Sequence, residues 1–260
     1  MEDKLNNTEE NSLTFGEIYA AYYKKKISKL AIGTRFNYER YIRLHFQAIL
    51  NTPIKNMTSR FIDSWIDSLH ESLNKTLQAK QRTGFKHELQ LMQAVLKFYD
   101  EYYDDPDFKY PVKKRHAEDC QLKKSLPKYK DLLLVEFEQF RIEILKCKHG
   151  ELFAAMATVQ FYHALRISEA AALHFEDLNL NFKNSKESTI RICRHLVYLR
   201  KKGSKPILEN GFKNAKGGEN SVRELPLFPE TFQTLNKVFK IHAKGLVFTI
   251  DGTALTYRQI

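Results

Sequence analysis

The chain has 260 residues and a formal net charge of +11, with hydrophobic residues at 43% and aromatic residues at 12%. That apolar share supports one or two folded domains and excludes general disorder. The excess of cations favours polyanionic partners, nucleic acid first, because lysine and arginine release counterions from phosphates. A residue usage rich in Lys, Asn, Ile, Phe and Tyr accounts for the same charge by itself, so the motifs have to decide.

Cys120, Cys147 and Cys193 are odd in number and have no Cys-x-x-Cys spacing. This excludes a disulfide framework and a zinc site and fits a reducing compartment. The start, Met1 to Asn7, has no basic segment leading into an apolar core, and no run of ~18 apolar residues occurs anywhere. A soluble, cytoplasmic protein without membrane contact is the expectation.

Residues 1–12 are polar and acidic and read as a disordered tail. Thr14-Phe15-Gly16-Glu17 is a capping box that opens a first helix running to about Lys25. A second helix starts near Thr34, with Tyr38, Tyr41, Ile42, His45 and Ile49 on one face, and Asn51-Thr52-Pro53 ends it. The third carries Phe61, Ile62, Trp65, Ile66 and Leu69 behind a Thr58 or Ser59 cap. A long fourth helix carries Phe85, Leu89, Met92, Leu96, Tyr99 and Tyr103, a bundle-core stripe, and Asp104 to Asp107 closes it. Residues 13–110 therefore predict a four-helix bundle. Residues 111–130, with Lys113-Lys114-Arg115 and Lys123-Lys124, predict an exposed basic linker that tracks DNA.

The second domain, residues 131–260, opens with helical patterns at Leu133–Cys147 and Glu151–Tyr162. After Asp177 the pattern changes. Ser188 to Tyr198 alternates and is β-branched, as a strand is, and Val222 to Leu227 predicts a second short strand. Between them, Lys201 to Gly218 suits a long hairpin excursion. The fold class is mainly α, with an α+β second half holding a small antiparallel sheet.

Two segments carry chemistry. In His163-Ala164-Leu165-Arg166-Ile167-Ser168-Glu169, an arginine sits at a break between apolar runs, with Glu169 one turn on and an Ala-rich turn leading to a Glu176-Asp177-Leu178 exit. Guanidinium is always charged and offers a planar fork to a phosphate, which Glu169 is placed to orient. In Asn214-Ala215-Lys216-Gly217-Gly218, a lysine lies in a glycine-bearing turn before Val222-Arg223-Glu224-Leu225-Pro226-Leu227. A lysine on such a turn is able to donate a proton to a leaving oxygen. Lys213 is the fallback.

Together these segments resemble the first arginine box and the hairpin-lysine signature of the tyrosine recombinases, the phage integrase family. The resemblance covers roughly residues 13–260. The N-terminal helices, with their Thr-Phe-x-Glu start and proline-bearing linker, look like that family's SAM-like core-binding domain. It implies double-stranded DNA as partner, held in a basic ring between domains. It also implies DNA integration and recombination through a tyrosine nucleophile that forms a 3′-phosphotyrosyl link, and no metal or other cofactor. By resemblance Arg166 grips the scissile phosphate, Lys216 is the general acid and Glu169 supports. Arg35, Lys80 and Lys86, on faces of the second and fourth helices, are expected phosphate contacts.

The chain departs from the family pattern in three ways. After Lys216 the family has a His-x-x-Arg helix and then the nucleophilic tyrosine; here the later histidine is His242, followed by Ala243-Lys244-Gly245. His163-Ala164-Leu165-Arg166 has the spacing, but its arginine is already the first-box residue, so His163 is read as a decoy. Tyr257, after the Gly-Leu-Val-Phe strand at Gly245 to Phe248, is read as an ordinary helix-start residue. Ala164 stands where the family usually has glycine. The expectation is a C-terminally truncated recombinase, inactive in strand cleavage alone, with homo-oligomers on DNA belonging to a full-length form. Two alternatives stay open: a non-catalytic DNA-binding remnant or regulator occupying recombination sites, and a helical interaction module in which Arg166 and Lys216 are structural.

Overall fold

The computed structural model describes residues 12–74, 84–122, 131–199, 203–211, 222–241 and 244–259. The chain divides into two compact units, Met1–Lys128 and Tyr129–Ile260. Among the described residues no helix is long and apolar enough to cross a membrane, and no group of three or more His, Cys, Asp or Glu is arranged to hold a metal ion. Each of the three cysteines is free of a disulfide.

The first unit is built on α1 (Phe15–Lys25), α2 (Ile32–Tyr41), α3 (Ser59–Asn74) and α4 (Lys86–Tyr102). The capping box at α1 forms as the sequence predicts: the Glu17 carboxylate accepts from the Thr14 N–H at 2.8 Å, and the Thr14 hydroxyl accepts from the Glu17 N–H at 3.3 Å. At α3 the cap is Thr58, which accepts from the Phe61 N–H, while the Ser59 hydroxyl donates to the Pro111 carbonyl. The core joins Phe15, Ile18, Phe46, Ile62, Trp65, Ile66, Leu89, Met92 and Leu96, all buried.

The second helix differs from its expected face. After Tyr41 it widens into a π-helical turn, Ile42–Phe46, and then tightens into a 3₁₀ turn, Gln47–Ile49. The wide turn adds a residue to the helical period. Phe46 thereby takes the core position and is fully buried, while Tyr38, Tyr41 and Ile42 are only half-buried. His45 contributes its backbone carbonyl, which accepts from Trp65 Nε1 at 3.0 Å.

The segment expected to be an exposed basic linker is partly structural. Residues 114–119 form α5 (Lys114–Asp119), and Val112, His116 and Cys120 are buried in the first unit. Arg115 and His116 both reach Asp63 of α3, at 2.6 and 2.9 Å. Its apolar residues are few and sit at a helical spacing too short to register as periodicity. Lys123 and Lys124 lie outside the described residues.

The second unit begins with α6 (Leu134–Leu145), α7 (Gly150–His163) and the four-residue α8 (Ile167–Ala170). Five strands follow: β1 (Leu178–Asn179), β2 (Thr189–Ile192), β3 (Arg194–Val197), β4 (Ile207–Asn210) and β5 (Arg223–Pro226). Next come α9 (Pro229–Ile241) and the hairpin β6 (Thr249–Ile250) and β7 (Thr253–Ala254). The single strand expected over residues 188–198 is in fact two. β2 pairs antiparallel with both β1 and β5, whereas β3 pairs with β4, and Cys193 stands at the switch. Ile190 and Ile192 alternate inward in β2, whereas β3 buries the neighbours His195 and Leu196; no turn residue at Cys193-Arg194 marks the switch in the sequence. The register Ile192↔Arg223 and Ile190↔Leu225 sets β5 beside β2. Below the sheet, Met156 and Val159 of α7 and Leu235 of α9 share one core with Ala170, Ala171, Ala172, Leu173, Val247 and Phe248.

A candidate phosphate site around Arg166

The arginine box is shaped by how α7 stops. Ala164 adopts the left-handed conformation, φ 50° and ψ 39°, and its N–H returns to the Gln160 carbonyl. This conformation favours glycine, which gives a physical reason for the glycine usual at that place in the resembling family. Leu165 drops into the core, Arg166 is extended, and α8 starts at once. Ala170, Ala171 and Ala172 are fully buried, so the turn lies flush on the core.

Glu169 is the centre of the site. Its side chain is 1% exposed and accepts three hydrogen bonds. Oε2 takes the Arg166 backbone N–H at 3.0 Å, Oε1 takes Arg166 Nη1 at 2.9 Å, and Oε2 also takes Arg223 Nη2 at 2.9 Å. A buried carboxylate with these partners is fully compensated, and it fixes the direction of both guanidinium groups. Arg166 is held at its inner edge while 61% of its side chain stays exposed. A guanidinium anchored on one edge and open on the other is able to bind a phosphate oxygen through its remaining N–H groups.

The expected site residues fall out as follows. Arg166 and Glu169 are brought together. Lys216, Lys213 and Lys80 lie outside the described residues. In the first unit, Lys86 is exposed at the start of α4 and Arg35 is half-buried in α2. Sequence reasoning missed Arg223. Its signal was its place, the first residue of the strand that follows the lysine-bearing turn, on an alternate position from Leu225.

It also missed Arg194. That side chain is 17% exposed and donates to Asp177 Oδ1 at 2.8 Å and to Glu176 Oε1 at 2.9 Å. The acidic exit of the arginine box is thus a clasp onto β3. Asp177 is 3% exposed and also accepts from the His174 N–H at 3.2 Å.

His163 and Tyr257 are placed apart from the Glu169 cluster's bonds. His163 is buried, with Nε2 3.1 Å from the Thr231 hydroxyl of α9 and its ring against Phe228. Burial holds its pKa below the usual imidazole value. The unfolded chain therefore takes up the proton first as the pH falls. The second unit should keep this contribution above about pH 6.5 and lose it progressively below. His163→Leu should flatten the fall in melting temperature between about pH 7 and 5; an unchanged acid slope contradicts this. Tyr257 is half exposed in a turn and not at a helix start; there the Gln259 side chain accepts from the Thr256 N–H at 2.7 Å.

Residues 14–70 match the family model described as "Phage integrase, N-terminal SAM-like domain". No curated protein matches the sequence. Among solved structures, a fragment of the Tn1549 transposon integrase in complex with transposon right end DNA is 19% identical, with a TM-score of 0.70 over 94% of this chain and 74% of that one. The same integrase in complex with a circular intermediate DNA gives a TM-score of 0.69 at 19% identity, over 95% of this chain and 75% of that one. At such identity the likeness establishes a shared fold.

Proposed function

We propose that this chain, which has the fold of the tyrosine recombinases (phage integrases) and carries their SAM-like domain over residues 14–70, binds duplex DNA and serves site-specific recombination. Arg166 grips the DNA phosphate at the site of exchange. The observation that carries this reading is the exposed guanidinium fixed on a carboxylate that is itself 1% exposed. The edge of the guanidinium turned away from Glu169 is where a phosphate oxygen would be bound. The net charge of +11 supports the same partner, as does the DNA present with the Tn1549 integrase.

In this reading Glu169 orients Arg166, and Lys216 protonates the leaving oxygen from its glycine-bearing turn. Stabilising the charge on a phosphoryl group and supplying the proton are the two tasks that positioned cations perform in such transfers. In the resembling family the covalent step belongs to a tyrosine hydroxyl; no tyrosine of this chain is assigned that role, so this chain is proposed to bind DNA and recognise its phosphate, with strand cleavage not expected from it alone. Lys86, Arg35 and Lys80 add phosphate contacts from the N-terminal half, setting register without reading sequence.

The test is a salt titration of binding to a mixed-sequence DNA duplex. Arg166→Ala should weaken binding about tenfold or more at low salt, the scale of a charge-assisted hydrogen bond. It should also lower the slope of log K against log salt by about 0.9, the value for one phosphate contact. Arg166→Lys keeps the charge but loses the fork, and should fall between the two. Equal binding and equal slope for wild type and Arg166→Ala would refute the assignment.

A further inference from the structure

Two cations share one buried anion in the second unit, and the charge balance there bears on what Arg166 is able to do. Paired with Glu169 alone, Arg166 would belong to a neutral pair, and its attraction for a phosphate would be largely cancelled. Arg223 changes this. It reaches the same carboxylate from β5 at 2.9 Å, on the oxygen opposite the one that Arg166 Nη1 takes. The trio Arg166, Glu169 and Arg223 then carries one net positive charge.

Resting on the phosphate-binding reading of Arg166, we infer that Arg223 is a positioning residue that restores the positive charge of the site. By satisfying Glu169 Oε2 it leaves the carboxylate able to orient Arg166 without neutralising it. Its location gives the arrangement a second consequence. Arg223 opens β5, in register with Ile192 of β2, and lies seven residues after Lys216 in the chain. Its strand is therefore the described element that follows Lys216 most closely in the sequence. Arg223 is the less open of the two cations, 38% exposed against 61% for Arg166.

The experiment is a set of variants titrated with salt against the same mixed-sequence duplex. Arg223→Gln should lower affinity about tenfold and reduce the salt slope by about 0.9, as though the contact made by Arg166 were lost. Adding Glu169→Gln to it should restore affinity to within about threefold of wild type. Glutamine at position 169 still offers an oxygen to Arg166 but carries no charge to cancel it. A residue that merely held the fold together would show no such rescue. In an Arg166→Ala background, Arg223→Gln should add nothing. Arg223→Lys, which keeps a cation beside Glu169 and is the milder change for folding, should bind within about threefold of wild type.

Failure of the double variant to recover, or an additional loss in the Arg166→Ala background, would overturn the inference and leave Arg223 a structural or direct phosphate contact. If Arg166→Ala itself binds like wild type, it is the phosphate-binding reading that falls.

Discussion

Replacing Arg194 with leucine should destabilise the second unit by about 3 kcal/mol or more, the scale seen when one partner of a buried ion pair is removed. The side chain bonds two acidic residues at once, Asp177 at 2.8 Å and Glu176 at 2.9 Å, and Asp177 is 3% exposed. Leucine preserves much of the apolar stem and deletes the charge, so the Asp177 carboxylate is left in the protein with a backbone N–H and the Cys193 thiol as its partners. Those groups do not neutralise it. The clasp also fixes the exit of the arginine box onto β3. The loss is read by urea denaturation followed by circular dichroism. Trp65, the sole tryptophan, lies in the first unit and reports on that unit separately. A wild-type transition for the second unit would contradict the clasp.

Phe46→Ala should cost the first unit about 3–5 kcal/mol, the usual range for truncating a buried phenylalanine to alanine. Phe46 is fully buried, stacks on Phe15 with ring centroids 5.6 Å apart and an interplanar angle of 10°, and meets Trp65 at 5.1 Å. The residue reaches the core through the π-helical turn, which is fixed by hydrogen bonding along the backbone and will not readily collapse into the void. Trp65 fluorescence gives the measurement directly, because its indole packs on the deleted ring. A loss below about 1 kcal/mol would mean that the turn relaxes to fill the cavity and that Phe46 is not the pivot of this core.

The contrast between these two residues shows what is legible in the sequence. Helices α1 and α3 fall where capping residues and apolar spacing put them, and α4, α6 and α7 where apolar runs do, since these signals are local. Phe46 is not legible as a core residue, because a wide turn shifts the period and the sequence carries no mark of the extra residue. β2 and β3 read as one strand, because no Gly, Pro, Asn or Asp marks the point at Cys193 where the chain changes partner and begins to bury the neighbours His195 and Leu196. β4 offers only Ile207 and Leu208 before Glu209 and Asn210, too little apolar pattern to register as a strand.

The site divides along the same line. Arg166 and Glu169 are three residues apart on one turn, so their ion pair is predictable from spacing. Arg223 and Arg194 reach the box from strands 54 and 17 residues away in sequence from their carboxylate partners. Only the sheet register brings them there. The same acidic exit that marks the box in the sequence is explained by Arg194, a partner that no local rule names.

The most direct measurement pairs Arg166 with single phosphates. A duplex bound by the wild-type chain is made as a series in which one phosphate at a time is replaced by a neutral methylphosphonate, and each member is titrated with wild type and with Arg166→Ala. The account predicts one position at which neutralising the phosphate weakens wild-type binding about tenfold yet leaves the Arg166→Ala variant unaffected, because the contact is already gone. If every position weakens both proteins equally, Arg166 touches no phosphate and the account fails.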